Sequence, residues 1–167
     1  STVISNVGEV VSRGVEFETT VIPTKALRFN GGFTFADVFF AQGTRDANLR
    51  GRQVTNSPRW TSTLSANYKR ALPWQGMSFS GNVAARYQSA VNTSASLLPQ
   101  ARQTGYSVIN ARLGLGFRND FDVSLVGTNI TDTVYQAIIF ASVAQAGSFN
   151  GFPGPPRTIG LELRKRF

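Results

Sequence analysis

The stretch MSFSGNVAARY at residues 77–87 decides the fold class. Every second position gives Met77, Phe79, Val83, Ala85 and Tyr87 on one side, and Ser78, Ser80, Asn82, Ala84 and Arg86 on the other. A repeat of two belongs to a strand, whose successive side chains point to opposite faces; an amphipathic helix repeats about every 3.6 residues instead.

The same alternation extends outward from this stretch in both directions. In residues 13–22 (RGVEFETTVI), Val15, Phe17, Thr19 and Val21 oppose Gly14, Glu16, Glu18 and Thr20. After a short turn containing Pro23, residues 27–37 (LRFNGGFTFAD) set Leu27, Phe29, Gly31, Phe33 and Phe35 against Arg28, Asn30, Gly32, Thr34 and Ala36, so the two segments read as a hairpin. Residues 60–69 place Trp60, Leu64, Ala66 and Tyr68 away from Thr61, Thr63, Ser65, Asn67 and Lys69. Further on, Ile109, Ala111, Leu113, Leu115 and Phe117 oppose Asn110, Arg112 and two glycines, and Phe121, Val123 and Leu125 oppose Asp122 and Ser124. In the last segment, residues 157–167, Ile159, Leu161, Leu163 and Phe167 face away from Thr158, Gly160, Glu162, Arg164 and Arg166. Seven candidate strands result, each 10 or 11 residues long.

That length carries information. Strands of globular proteins average about 5 to 6 residues, whereas a tilted strand crossing a bilayer needs about 9 to 11. The connections, residues 23–26, 38–59, 70–76, 88–106, 118–120 and 131–156, alternate strictly between short and long. Outer-membrane barrels produce this rhythm, with short periplasmic turns and longer extracellular loops. Charge depth agrees. On the apolar side, Arg13, Asp37, Arg157 and Lys165 all fall within three residues of a segment end, while the mid-segment charges Glu16, Glu18, Arg86, Arg112 and Glu162 lie on the polar side. A charge facing lipid costs about 2 to 4 kcal/mol at mid-bilayer and little near the interface. Tyr68, Phe79, Phe117, Phe121 and Phe167 gather toward the short-turn end, and Phe35, Phe39, Trp60 and Tyr87 toward the long-loop end, as two interfacial belts would.

Composition narrows the function. The 167 residues contain no Cys and no His, which removes disulfide frameworks, cysteine-type zinc sites and imidazole-based catalysis. Glu16 and Glu18 share a wall face rather than a cleft, and no paired carboxylates suited to acid–base work are evident, so no enzyme and no cofactor is expected. The longest apolar runs, such as AIIFA at 137–141, fall far short of the roughly 20 residues of a membrane helix, and no signal peptide is visible at the N-terminus. The net charge of +8 would suit a soluble basic β-domain binding nucleic acid or glycans if it were clustered. It is dispersed over strands, turns and loops instead. A soluble β-sandwich with one wet face also alternates, but it does not explain strand length, connection rhythm and charge depth together. Seven strands are too few for a closed lipid-facing barrel, and open edges would expose backbone groups to hydrocarbon, so the chain is expected to be part of something larger.

Four motifs then occur in order. Asn6-Val7-Gly8 is followed by Arg13-Gly14-Val15-Glu16-Phe17-Glu18; Pro58-Arg59-Trp60 opens a strand; Asn129-Ile130-Thr131-Asp132 precedes Tyr135; and Pro153-Gly154-Pro155-Pro156-Arg157-Thr158 leads into a strand ending at Phe167. Together they resemble the late-barrel signatures of TonB-dependent outer-membrane receptors, departing in Ile130-Thr131 where that family more often has Leu-Phe. The resemblance implies an antiparallel up-and-down transmembrane β-barrel segment, residues 1–167 being the C-terminal third of a 22-stranded barrel whose plug domain and earlier strands are absent from this sequence. It further implies a Gram-negative outer-membrane location and active uptake of a scarce nutrient, most often a ferric siderophore, driven by the TonB complex acting on the plug. A passive porin-like channel is the alternative; a plug and TonB-contacting segment ahead of residue 1 would separate the two.

The resemblance also assigns roles. Phe167, on the lipid-facing parity, is expected to be part of the signal read by the barrel-assembly machinery, or else an ordinary interfacial aromatic. Glu16, Glu18, Arg28, Arg86, Arg112, Glu162 and Arg164 are expected to face the lumen and the plug. Arg45, Arg50 and Arg52 are loop candidates for an anionic ligand, because guanidinium suits carboxylate and phosphate oxygens, or else for lipopolysaccharide phosphates or plain solvent. Phe140, Phe149 and Phe152 either stack on a ligand or pack their loop on itself. The in-strand glycines do not form a phosphate cradle, since none opens a helix after a strand.

Overall fold

The computed structural model describes residues 8–74, 76–94, 98–118, 120–142 and 144–166. In chain order the strands are β1 (Val10–Thr24), β2 (Leu27–Phe40), β3 (Trp60–Ala71), β4 (Ser78–Gln88), β5 (Val91–Asn92), β6 (Arg102–Gln103), β7 (Tyr106–Phe117), β8 (Phe121–Thr128), β9 (Gln136–Ala141), β10 (Phe149–Pro153) and β11 (Thr158–Lys165), with a 3-10 turn at Pro99–Ala101. Seven of them form one antiparallel sheet in the order β1-β2-β3-β4-β7-β8-β11. Each wall strand therefore pairs with the next wall strand along the chain, the up-and-down arrangement that the alternating connections imply.

Register carries the two-residue pattern across the sheet. Val15 pairs with Phe35 and Phe17 with Phe33. Leu64 then pairs with Ala85, Gly81 with Leu113, Leu113 with Leu125, and Leu125 with Leu161. A slip of one residue would invert every side chain beyond it; the wall ladders keep one register from Val10 to Val21 and across to β11, so one face is apolar from β1 to β11. Pro23 cannot donate a ladder hydrogen bond, and a register shift between Val21 and Thr24 absorbs it on what is an edge strand.

Nothing among the described residues covers the apolar face. Val15, Leu64 and Leu161 are 68, 60 and 68 % exposed. Burying one such side chain yields about 1.5–3 kcal/mol, so a soluble domain would not leave a whole face of them bare. The β-sandwich alternative fails here, because the remaining strands form only the pairs β5-β6 and β9-β10, both in the long connections. The buried apolar residues Ala41, Val91, Ala101, Val108 and Tyr135 sit at the long-loop end instead. Among the described residues β1 and β11 each pair on one side only.

Boundaries differ from the sequence reading in both directions. β1 and β2 run 15 and 14 residues, while β8 and β11 have 8 each. β1 starts early because Val10 to Ser12 find partners in Val38 to Phe40, where two adjacent valines had hidden the alternation. β8 stops before Ile130 because Asn129 adopts a positive φ of 47° and turns the chain. Arg157 precedes β11, and the long connections read as plain loops contain β5, β6, β9 and β10.

Candidate functional site

The polar face is cross-bonded from strand to strand. Thr20 Oγ1 donates to Asn30 Oδ1 at 3.1 Å, and Asn30 Nδ2 to Ser65 Oγ at 3.1 Å. Asn82 Nδ2 donates to Asn67 Oδ1 at 2.8 Å. Arg112 reaches across β8 and grips Glu162 through both guanidinium nitrogens at 2.9 Å each, while also donating to Ser124 Oγ at 3.1 Å. Arg164 adds a second contact to Glu162 at 3.3 Å. Gly114 lies between Ser80 and Ser124, where a methyl group would come within 2.6 Å of the Ser80 hydroxyl. Glu16, Glu18, Arg28 and Arg86 share this face, opposite Thr34, Gly32, Asn67 and Thr63 respectively. The face thus presents donors and carboxylates in alternation, a lining suited to water and polar solutes.

At the long-loop end this lining closes into a cradle. Arg86 donates to the Tyr135 hydroxyl at 3.1 Å and its guanidinium lies 5.9 Å from the ring centroid. Tyr135 in turn stacks on Tyr106 with centroids 4.1 Å apart and planes 13° off parallel. A cavity of about 280 Å³ opens here, bordered by Asn56, Arg86, Thr93, Tyr106, Tyr135 and Gln136.

The cradle is held by the sequence motifs themselves. Buried Asn129 donates its backbone N–H to Asn110 Oδ1 at 2.9 Å and its amide to the carbonyls of Thr133 and Pro155 at 3.0 and 3.1 Å. Its Oδ1 accepts from Thr133 N at 2.9 Å. Arg157 pairs with Asp132 at 3.5 Å, so the Asn-Ile-Thr-Asp and Pro-Pro-Arg motifs form one clasp at the base of the last loop. Gly154 donates its N–H to the Tyr135 carbonyl at 2.8 Å and lies so close to the ring that a Cβ would come within 1.9 Å of Tyr135 Cζ. The loops are joined as well. Asn56 N donates to Asn92 O at 2.9 Å, Ile139 N to Thr93 Oγ1 at 2.9 Å, and Gln136 N to Gln103 Oε1 at 2.7 Å.

The model of the family described as TonB dependent receptor-like, beta-barrel matches residues 1–130. The chain belongs to that family. Its fold is that of the solved ferric yersiniabactin uptake receptor FyuA from Yersinia pestis, at 19 % identity and a TM-score of 0.86, covering 97 % of this chain and 24 % of that one. The siderophore receptor PiuA from Acinetobacter baumannii is similar at 21 % identity and TM-score 0.74, covering 95 and 22 %. The ferric-catecholate import receptor Fiu from E. coli K12, closed form, matches at 25 % and 0.69, covering 93 and 20 %. The chain thus spans about a quarter or less of the length of these receptors. No curated protein matches it. TonB-dependent receptors reside in the outer membrane of Gram-negative bacteria, and their family and fold are those of transporters and receptors rather than enzymes. In such barrels the tight turns are periplasmic and the long loops extracellular.

Within this receptor wall the two aromatic groups fall at opposite ends. Trp60 lies 4.4 Å from Phe35 between ring centroids, and Arg13 sits 5.4 Å over Phe39; exposed Tyr87 joins them at the loop end. Tyr68 with Phe79, and Phe117 with Phe121, pair at 6.0 Å near the turns. Asp37 joins Arg13 at 3.1 Å and Arg59 at 3.2 Å on the lipid parity of the outer end. In the first loop, Arg50 donates to the Thr44 carbonyl at 2.8 Å, Arg45 is exposed and Arg52 is bonded. Phe140 packs on Phe152 at 5.9 Å in the β9-β10 hairpin that also carries Phe149. Phe167 lies outside the described residues. Sequence reasoning did not single out the Tyr106–Tyr135 stack or the Thr93, Gln103 and Gln136 stitches. Tyr135 stood in a quoted motif, whereas the stitches come from polar residues in loops, where no periodicity marks them.

Proposed function

We propose that this chain is the C-terminal part of the barrel, about seven strands of a 22-stranded wall, of an outer-membrane transporter that captures a ferric siderophore and imports it with energy delivered by TonB through a plug domain. The observation that carries the reading is the cradle of Arg86, Tyr106 and Tyr135 at the top of a continuous polar face. Flat aromatic rings beside a fixed guanidinium suit an anionic, ring-bearing chelate. Arg45, Arg50 and Arg52 would add cationic groups in the first loop, with Phe140, Phe149 and Phe152 as an apolar patch on the last. Glu16, Glu18, Arg28, Arg112, Glu162 and Arg164 would face water and the plug. Phe167 would serve recognition by the barrel-assembly machinery, and Arg13 with Arg59 would meet lipopolysaccharide phosphates at the outer rim.

The test is growth of a receptor-deleted strain carrying the full-length parent on a panel of ferric siderophores, vitamin B12 and oligosaccharides, with and without TonB. Growth on an iron chelate that requires both the parent and TonB is the expected result. Growth that persists without TonB would mark a passive porin-like channel instead.

A further inference from the structure

At the turn end of the lipid face Arg70, like Lys165, breaks the apolar pattern. It shares the parity of Leu64, Ala66 and Tyr68 and pairs in the ladder with Phe79. Its side chain is exposed and makes no hydrogen bond or ion pair with the described residues. Arg13, on the same parity at the outer rim, differs, since it pairs with Asp37.

Beside Arg70 runs a groove of about 540 Å³ lined by Tyr68, Arg70, Ala71, Leu72, Pro73 and Phe79. No carboxylate borders it. Leu72 N donates to Met77 O at 3.0 Å and Met77 N to Trp74 O at 3.1 Å, so the turn that floors the groove is fixed rather than loose. Arg118 from the neighbouring β7-β8 turn lies against Gly76, bringing a second guanidinium to the same turn. Trp74 stands exposed at the tip.

We infer that this groove is a binding site for an anionic phospholipid of the periplasmic leaflet, with the headgroup phosphate on Arg70 and an acyl chain running inward past Phe79 and Tyr68. Three physical requirements coincide. The cation sits at headgroup depth, the groove beside it is apolar, and no carboxylate among the described residues competes for the guanidinium. The tight turns face the periplasm, where the leaflet is phospholipid rather than lipopolysaccharide. One cation near an anionic bilayer surface is worth about five-fold in affinity.

The test uses the full-length receptor in non-ionic detergent, titrated with phosphatidylglycerol or phosphatidylethanolamine and read by native mass spectrometry. Phosphatidylglycerol should be retained at about five-fold lower concentration than phosphatidylethanolamine, and Arg70→Gln should abolish that preference. Lys69→Gln removes the same charge one residue away on the polar face, and it should leave the preference intact. Equal loss in both variants, or no preference in the parent, overturns the site. Displacement of the lipid by inorganic phosphate at matched concentration would show a bare anion site and also overturn it. Because the inference rests on the orientation of the wall, Trp74→Cys is probed with a membrane-impermeant maleimide. Labelling in intact cells would sink the orientation, whereas labelling only after the outer membrane is permeabilised upholds it.

Discussion

The two faces of this sheet differ by one residue in parity and by nearly everything in bonding. On the polar face, side chains are joined strand to strand, from Thr20, Asn30 and Ser65 to Arg112, Ser124 and Glu162. On the apolar face, Asp37 holds Arg13 at the outer rim. Between the rims that face offers hydrocarbon to its surroundings. The contrast records two solvents. A hydrated lumen makes hydrogen-bonding groups cheap to present, while acyl chains penalise each of them, so polarity survives on the lipid side only at headgroup depth.

The largest expected effect breaks the contrast directly. Leu113 faces lipid mid-strand between Gly81 and Leu125, and Leu113→Arg in the full-length parent should lower stability on folding into lipid vesicles by about 2 to 4 kcal/mol. Ser80→Arg puts the same group on the polar face and should have far less effect. Equal losses would mean that the faces are misassigned.

Next in size is Asn129→Ala. It strips three side-chain hydrogen bonds from a buried residue at the base of the last loop. The backbone bond to Asn110 survives, but Thr133 N–H and the carbonyls of Thr133 and Pro155 lose their partner, at about 1–3 kcal/mol for unsatisfied buried groups. A lowered thermal midpoint together with faster proteolysis within residues 129–157 is expected; a lowered midpoint without loop cleavage would count against the clasp.

Gly154→Ala should be milder for stability and more informative about the cradle. The added methyl collides with the Tyr135 ring, so the ring must leave its stack on Tyr106, a contact worth about 0.5–1.5 kcal/mol. On the function proposed above, affinity of the full-length receptor for its iron chelate should fall more than its stability does. Unchanged affinity would place the ligand elsewhere in the mouth.

How much of this was written in the sequence follows from what repeats. Parity is periodic, so the seven wall strands and their faces could be read from the chain, and Glu162 could be set on the polar side from Ile159, Leu161 and Leu163 alone. Motifs are local, so the clasp residues Asn129 and Arg157 stood in quoted stretches, although their meeting is a long-range event that no stretch encodes. Strand ends were misplaced where the pattern is neutral, as at Val10 and Val11. The stitches made by Thr93, Gln103 and Gln136 were out of reach, because a polar residue in a loop has the same composition whether it binds a neighbouring loop or water. Arg70 was visible as a charge just past a segment boundary; only the strand's extension to Ala71 set it on the lipid parity.

The smallest expected effect sharpens the contrast from the polar side. Arg112 and Glu162 form a two-pronged pair, yet their side chains are 39 and 38 % exposed. Water screens such a pair, and exposed ion pairs contribute little to stability even when their geometry is good. Arg112→Gln should therefore leave the thermal midpoint of the full-length receptor almost unchanged, since Glu162 keeps Arg164 and gains water in place of the fork. A dry interface would behave differently, because removing one partner leaves a desolvated carboxylate with nothing to replace the lost charge. A clear fall in the midpoint would then mean that the plug, rather than water, lies against this part of the wall.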